Sequence, residues 1–149
     1  MILIAPYAQK LRNGMDVHPK TFPYWKEFVE LLGKDIIQIG VEGEEQLVQD
    51  FRKNLPMIAI EVLIEECEYW ITIDSFLQHA AQHIKKKGVV IWSVSDPLIF
   101  GYPENLNILK DRKYLRKNQF AIWEQESFNE DAFLKADEIY KIIQGWKNG

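Results

Sequence analysis

Asp74 and Ser75 stand where a β-type run, Trp70-Ile71-Thr72-Ile73, gives way to a helical pattern. A carboxylate and a hydroxyl at such a corner suit ligand binding. Ligands of open α/β sheets settle at the carboxyl ends of the strands, where helix-start N–H groups can face an anion. Three further junctions belong on the same edge. The first is the long segment Pro6 to Lys20, with Tyr7, Lys10, Arg12, His18 and Lys20. The second is Gly40-Val41-Glu42-Gly43-Glu44-Glu45. The third, which starts at Asp74-Ser75, runs on through Phe76 to His79, and the fourth is Ser93 to Asn107, with Asp96-Pro97 and Gly101-Tyr102-Pro103. Together they offer cations for phosphate, carboxylates for ribose hydroxyls and a helix start for a diphosphate, the set a nucleotide-type ligand uses.

Each group also has a plain structural use. Asp74 and Ser75 are good helix caps. Lys10, Arg12 and Lys20 serve as solvated loop charges, and Glu42, Glu44 and Glu45 as first-turn acids that favour a helix start. Gly101-Tyr102-Pro103 suits a turn. His79 and His83 lie four apart on one helical face, a spacing that fits zinc, but no third ligand is evident and no metal is expected. No phosphate-binding Walker loop, GxGxxG, CxxC or GxSxG motif occurs, so nucleophilic hydrolysis has no support.

The elements that must position these residues alternate along the chain. Ile2 to Ala5 reads as a strand. Thr21 fits an N-cap, with Pro23 in the first turn, and Phe22, Trp25, Val29 and Leu32 follow at helical spacing up to Gly33. Asp35 to Ile39 reads as a strand. Gly43 and Glu44 open a helix to about Lys53. A short strand is expected near Leu55 to Ile58, then a helix from Ile60 to Glu68. Tyr69 to Ile73 is a strand, and Leu77, Ala80, Ala81 and Ile84 make the apolar stripe of the next helix. That helix ends at Lys85-Lys86-Lys87-Gly88, with positive charge at its negative pole. Val89-Val90-Ile91-Trp92 has the continuous apolarity of a strand covered on both faces. Val94 to Asn107 reads as a loop. Ile108 to Trp123 holds one or two short strands and a basic turn. A capping box, Ser127-Phe128-Asn129-Glu130, opens the last helix, with Phe133, Ala136, Tyr140 and Ile143 on one face. Strict alternation implies parallel crossovers. The expected architecture is one Rossmann-like α/β domain over residues 1–149, with about five or six parallel strands.

Composition narrows the function. The chain has 149 residues, 47% hydrophobic and 27% charged, enough for one domain with a sizeable core. Eighteen basic and 22 acidic side chains give a net charge of −4, which argues against broad nucleic-acid binding but leaves room for a local basic pocket. The aromatic content of 13% suits a dense core or a stacking surface. The lone cysteine, Cys67, reads as a core thiol and fits a reducing, cytoplasmic compartment. The N-terminal apolar run is too short for a leader, and no apolar run approaches the ~20 residues of a membrane span.

The ordered set of motifs resembles the nucleotide-sugar-binding half of the family 9 glycosyltransferases, the ADP-heptose:lipopolysaccharide heptosyltransferase type. In that family a strand ends in Asp-Ser/Thr-Gly-Leu/Met-x-His-Leu-Ala. Here the matching run is Asp74-Ser75-Phe76-Leu77-Gln78-His79-Ala80-Ala81. Val89 to Trp92 and the Asp96-Pro97 and Gly101 to Asn105 elements follow in the family's order. Lys20-Thr21-Phe22-Pro23 resembles its lysine before an aromatic-proline helix start, and Gly40 to Glu45 its Gly-x-x-x-Glu turn. The resemblance implies that Lys20 meets a phosphate and that Glu42 or Glu44 reaches the nucleoside. It gives Asp74, Ser75 and the helix start the diphosphate or sugar, and has His79 brace that helix. It implies no metal and no cofactor beyond the nucleoside diphosphate sugar itself. The chain departs from the pattern at Phe76, where the family has a glycine that lets backbone approach the diphosphate; a phenyl ring there blocks that approach or stacks on a base or sugar, and Tyr102 is the other aromatic expected at the pocket. The GT-B fold of the family has two such halves. Because Met1 leads directly into the first strand, the acceptor-binding half is expected to be missing, so transfer needs a partner chain or a second copy. The expected function is nucleotide-sugar binding with glycosyl transfer. The alternatives are a non-catalytic nucleotide-binding or sequestering module, or a scaffold that has lost its ligand.

Overall fold

The structure is a computed structural model that describes residues 1–8 and 17–149. Lys10 and Arg12 lie outside the described residues. Six parallel strands form one sheet: β1 (Ile2–Ala5), β2 (Ile36–Gly40), β3 (Asp50–Lys53), β4 (Tyr69–Ile73), β5 (Val89–Ile91) and β6 (Leu106–Ile108). Their order is β3-β2-β1-β4-β5-β6. Ile2 aligns with Ile36 on one side and with Tyr69 on the other. The strand order therefore reverses direction between β1 and β4, the point where open α/β sheets form a crevice.

The alternation of side chains across the sheet explains its two covered faces. Ile2, Ile4, Ile36, Ile71, Ile73, Val89 and Ile91 pack on one face beneath α1 (Trp25–Leu32) and α5 (Ala136–Asn148). Leu3, Ala5, Ile37, Ile39, Trp70, Val90 and Trp92 pack on the other, beneath α2 (Met57–Glu66) and α3 (Phe76–His83). Cys67 is buried in this second core, where its thiol donates to the Ile64 carbonyl at 3.0 Å and burial pushes its pKa up. Among the described residues, no helix is long and apolar enough to cross a membrane.

Several local expectations are corrected. Residues 43–49 form no helix. The Gln38 side-chain amide donates to the Glu45 carbonyl at 2.9 Å and accepts from the Leu47 N–H at 2.8 Å, so side chains satisfy this loop, and Asp50–Lys53 pairs with β2 instead. The strand near Leu55 to Ile58 is absent. Pro56, at φ −67°, caps α2, whose first turn takes up Met57 and Ile58. Thr21 caps nothing: α1 starts at Trp25, and Phe22 is instead a core residue edge-on to Tyr24, Trp25 and Phe28. The Ser127 to Glu130 run forms a 3-10 turn, Glu130–Ala132, with Asn129 as its cap at 3.0 Å. The true start of α5 is braced by Glu138, which accepts from the Lys135 N–H at 3.1 Å. The segment after β5 includes a short helix, α4 (Pro97–Phe100), capped by Asp96.

Candidate functional site

The carboxyl ends of β1, β2, β3 and β4 open into one crevice of about 960 Å³. Its floor and walls include Ala5 and Tyr7 after β1, Gly40 to Glu42 and Glu44 after β2, Asn54 and Leu55 after β3, and Asp74 to Phe76 after β4. His18 and Lys20 close one side. Trp123 and Glu124 arrive from a 3-10 turn (Trp123–Gln125) far along the chain.

Asp74 is the buried centre of the polar network, 8% exposed. Its Oδ2 pairs with Lys20 Nζ at 3.0 Å, and its Oδ1 accepts from Gln78 Nε2 at 2.8 Å. Lys20 Nζ also donates to the Asp74 carbonyl at 3.2 Å and lies 4.9 Å from the centre of the Trp123 ring. Ser75 holds the N-cap position of α3 but makes no capping bond. Its hydroxyl instead meets that of Thr72 at 2.9 Å, and Thr72 donates to the Ala5 carbonyl at 2.6 Å. This ties the corner after β4 to the end of β1. It also leaves the first turn of α3 without a side-chain cap, so its N–H groups and the positive end of its dipole are not already engaged by Ser75. Phe76 sits at the rim, 42% exposed.

The second junction is shaped by its glycines. A Cβ on Gly40 would overlap the Glu44 carboxylate, which accepts from the Val41 N–H at 2.7 Å. Gly43 has φ +91°, a conformation glycine adopts freely. Glu42 pairs with Lys53 at 3.5 Å.

Two titratable groups in the crevice are displaced from their ordinary range. Burial, then the Lys20 charge, lowers the His18 pKa to about 4, so the ring is neutral at pH 7; its Nδ1 accepts from the Lys20 N–H at 3.1 Å. Burial and the neighbouring Glu45 carboxylate push the Tyr7 phenol up, and its hydroxyl donates to Glu45 at 3.4 Å. Trp123 is held by Arg116, whose guanidinium lies 3.9 Å from the ring centre and pairs with Glu126 at 3.0 Å.

Lys20, Glu42, Glu44, Asp74, Ser75 and Phe76 thus line one crevice. His79 and Tyr102 do not. They meet each other instead, Nδ1 to hydroxyl at 2.7 Å, on the outer side of α3. The fourth junction stays away as well: Asp96 caps α4 and forms a two-pronged pair with Arg112 at 2.8 and 3.1 Å, which holds its pKa below the usual carboxylate range. Among the described residues no group of three His, Cys, Asp or Glu side chains is placed to hold a metal. Trp123 and Glu124 were not anticipated. Their only local signal is an aromatic–acid pair at the end of a short apolar run, Phe120-Ala121-Ile122-Trp123.

No family model and no curated protein matches the sequence. Among solved structures the fold matches the dodecameric iron-containing heptosyltransferase TibC, determined in complex with ADP-D-beta-D-heptose, at a TM-score of 0.69 and 13% identity. The match covers 99% of this chain and 45% of that one. At this identity the likeness establishes a shared Rossmann-like α/β fold and no more.

Proposed function

We propose that the crevice at the β1/β4 switch point binds a nucleoside diphosphate sugar, and that the chain acts as the donor-binding unit of a glycosyltransferase. The carrying observation is convergence: Lys20, the uncapped start of α3 and the carboxylates of the second junction face one cavity of about 960 Å³, the upper range of small-ligand sites. The whole-chain fold match to a heptosyltransferase solved with a sugar nucleotide supports it. In this reading Lys20 and the α3 N–H groups take the diphosphate. Glu42, with Glu44 beside it, accepts from ribose hydroxyls, and Phe76 and Trp123 offer apolar faces to the base or sugar. Departure of the diphosphate is eased where cation and helix start stabilise the growing negative charge.

A thermal-shift screen of nucleoside diphosphates and their sugars tests this. At [L] near 100 Kd a ligand adds about 2.7 kcal/mol, a shift of several degrees. The expected outcome is a hit among the sugar nucleotides that Lys20→Ala removes. A hit untouched by Lys20→Ala would put the ligand elsewhere, and no hit at all would dismiss the reading.

A further inference from the structure

The charge pattern of the crevice is unusual for a phosphate site. Among the described residues that line it, four carry carboxylates (Glu42, Glu44, Asp74 and Glu124) and a single one, Lys20, carries an ammonium. That ammonium is already engaged, 3.0 Å from Asp74 Oδ2, with side chains only 18% and 11% exposed. An anion that takes Lys20 away leaves a nearly buried carboxylate without its cation. Such uncompensated burial is costly. Gln78 cannot replace the lysine, because its one contact to Asp74 is with the other oxygen.

We propose that Asp74 is a specificity-determining residue that withholds Lys20 from bare anions. Only a ligand that brings both a phosphate for Lys20 and a hydroxyl donor for Asp74 exchanges one set of partners for another without leaving either group unpaired. A diphosphate bearing a sugar meets both conditions; pyrophosphate meets one. The selectivity rests on the nucleotide-sugar reading of the crevice, whereas the ion pair that enforces it does not.

The test is calorimetric titration with inorganic pyrophosphate at fixed ionic strength. Asp74→Asn removes the negative charge that pairs with the ammonium while keeping an amide oxygen able to accept from Gln78; its thermal unfolding is recorded alongside to check that the corner keeps its shape. Asp74→Asn is expected to bind pyrophosphate about tenfold or more tightly than the wild type. Adding Lys20→Met to Asp74→Asn should erase the gain. Glu124→Gln, which removes a carboxylate of the same crevice that is not paired with Lys20, should give a clearly smaller one. Equal or weaker binding by Asp74→Asn, no measurable binding by it at millimolar pyrophosphate, or a gain that survives Lys20→Met would each overturn the proposal. If Asp74→Asn gains pyrophosphate as expected while no nucleotide sugar binds the wild type, the nucleotide-sugar reading fails and the ion-pair restraint stands.

Discussion

His18 shows how burial tunes a single residue at this site. Its pKa lies near 4 in the folded chain against an ordinary 6.5, chiefly through desolvation and then through Lys20. The unfolded chain therefore binds a proton that the folded chain refuses between those values. The stabilisation from neutral His18 is complete above pH 6.5 and is lost as pH falls toward about 4. Relative to His18→Gln, the wild type should lose on the order of 2 kcal/mol across this window, measured by urea unfolding at a series of pH values; parallel curves for the two proteins would refute it. The same scale shows what the sequence could and could not reveal. Lys20, Asp74 and Ser75 were legible because each lies at a strand–helix junction. Tyr102 looked like a pocket residue because it sits in a Gly-Tyr-Pro loop, yet its hydroxyl is taken by His79. Trp123 was illegible because it reaches the crevice through tertiary packing on Arg116 and not through any local pattern.

The central strands could be read directly, because β1, β2, β4 and β5 are covered on both faces and consist of near-continuous apolar residues. Edge elements obey other forces. β3, Asp-Phe-Arg-Lys, is mostly exposed and exists through its pairing to β2, so its composition carries no strand signal. The apolar run after Leu55 fits helix or strand equally by periodicity, and Pro56 decides for helix. Two glycines make the packing argument testable. A Cβ at Gly88 would fall 2.1 to 2.7 Å from atoms of the buried Trp70 indole, whose N–H is fixed to the Lys86 carbonyl at 3.1 Å. Gly88→Ala should destabilise by about 3 kcal/mol. A Cβ at Gly145, inside α5, would meet nothing within 4 Å, and Gly145→Ala should stabilise by ~0.5–1 kcal/mol through backbone entropy. Chemical denaturation distinguishes the pair; similar values for both would show that the indole yields.

Across the whole molecule, the strand order places the carboxyl ends of β1 and β4 side by side, and this juxtaposition gathers residues as distant in sequence as Lys20, Asp74 and Trp123 into one cavity. A second, more open groove lies at the opposite end of the strands, lined by Asp35, Arg52 and Glu66 among others; among the described residues that line it there is neither a helix start nor a buried ion pair. The two grooves give the account a spatial contrast. Amide chemical-shift mapping of the ¹⁵N-labelled chain, titrated with the sugar nucleotide that gives the largest thermal shift, reads that contrast directly. The expected perturbations cluster at Lys20, Gly40 to Glu44, Asp74 to Leu77 and Trp123 to Glu124. Perturbations confined to Asp35, Arg52 and Glu66, or none at the corner after β4, would contradict the switch-point crevice as the binding site.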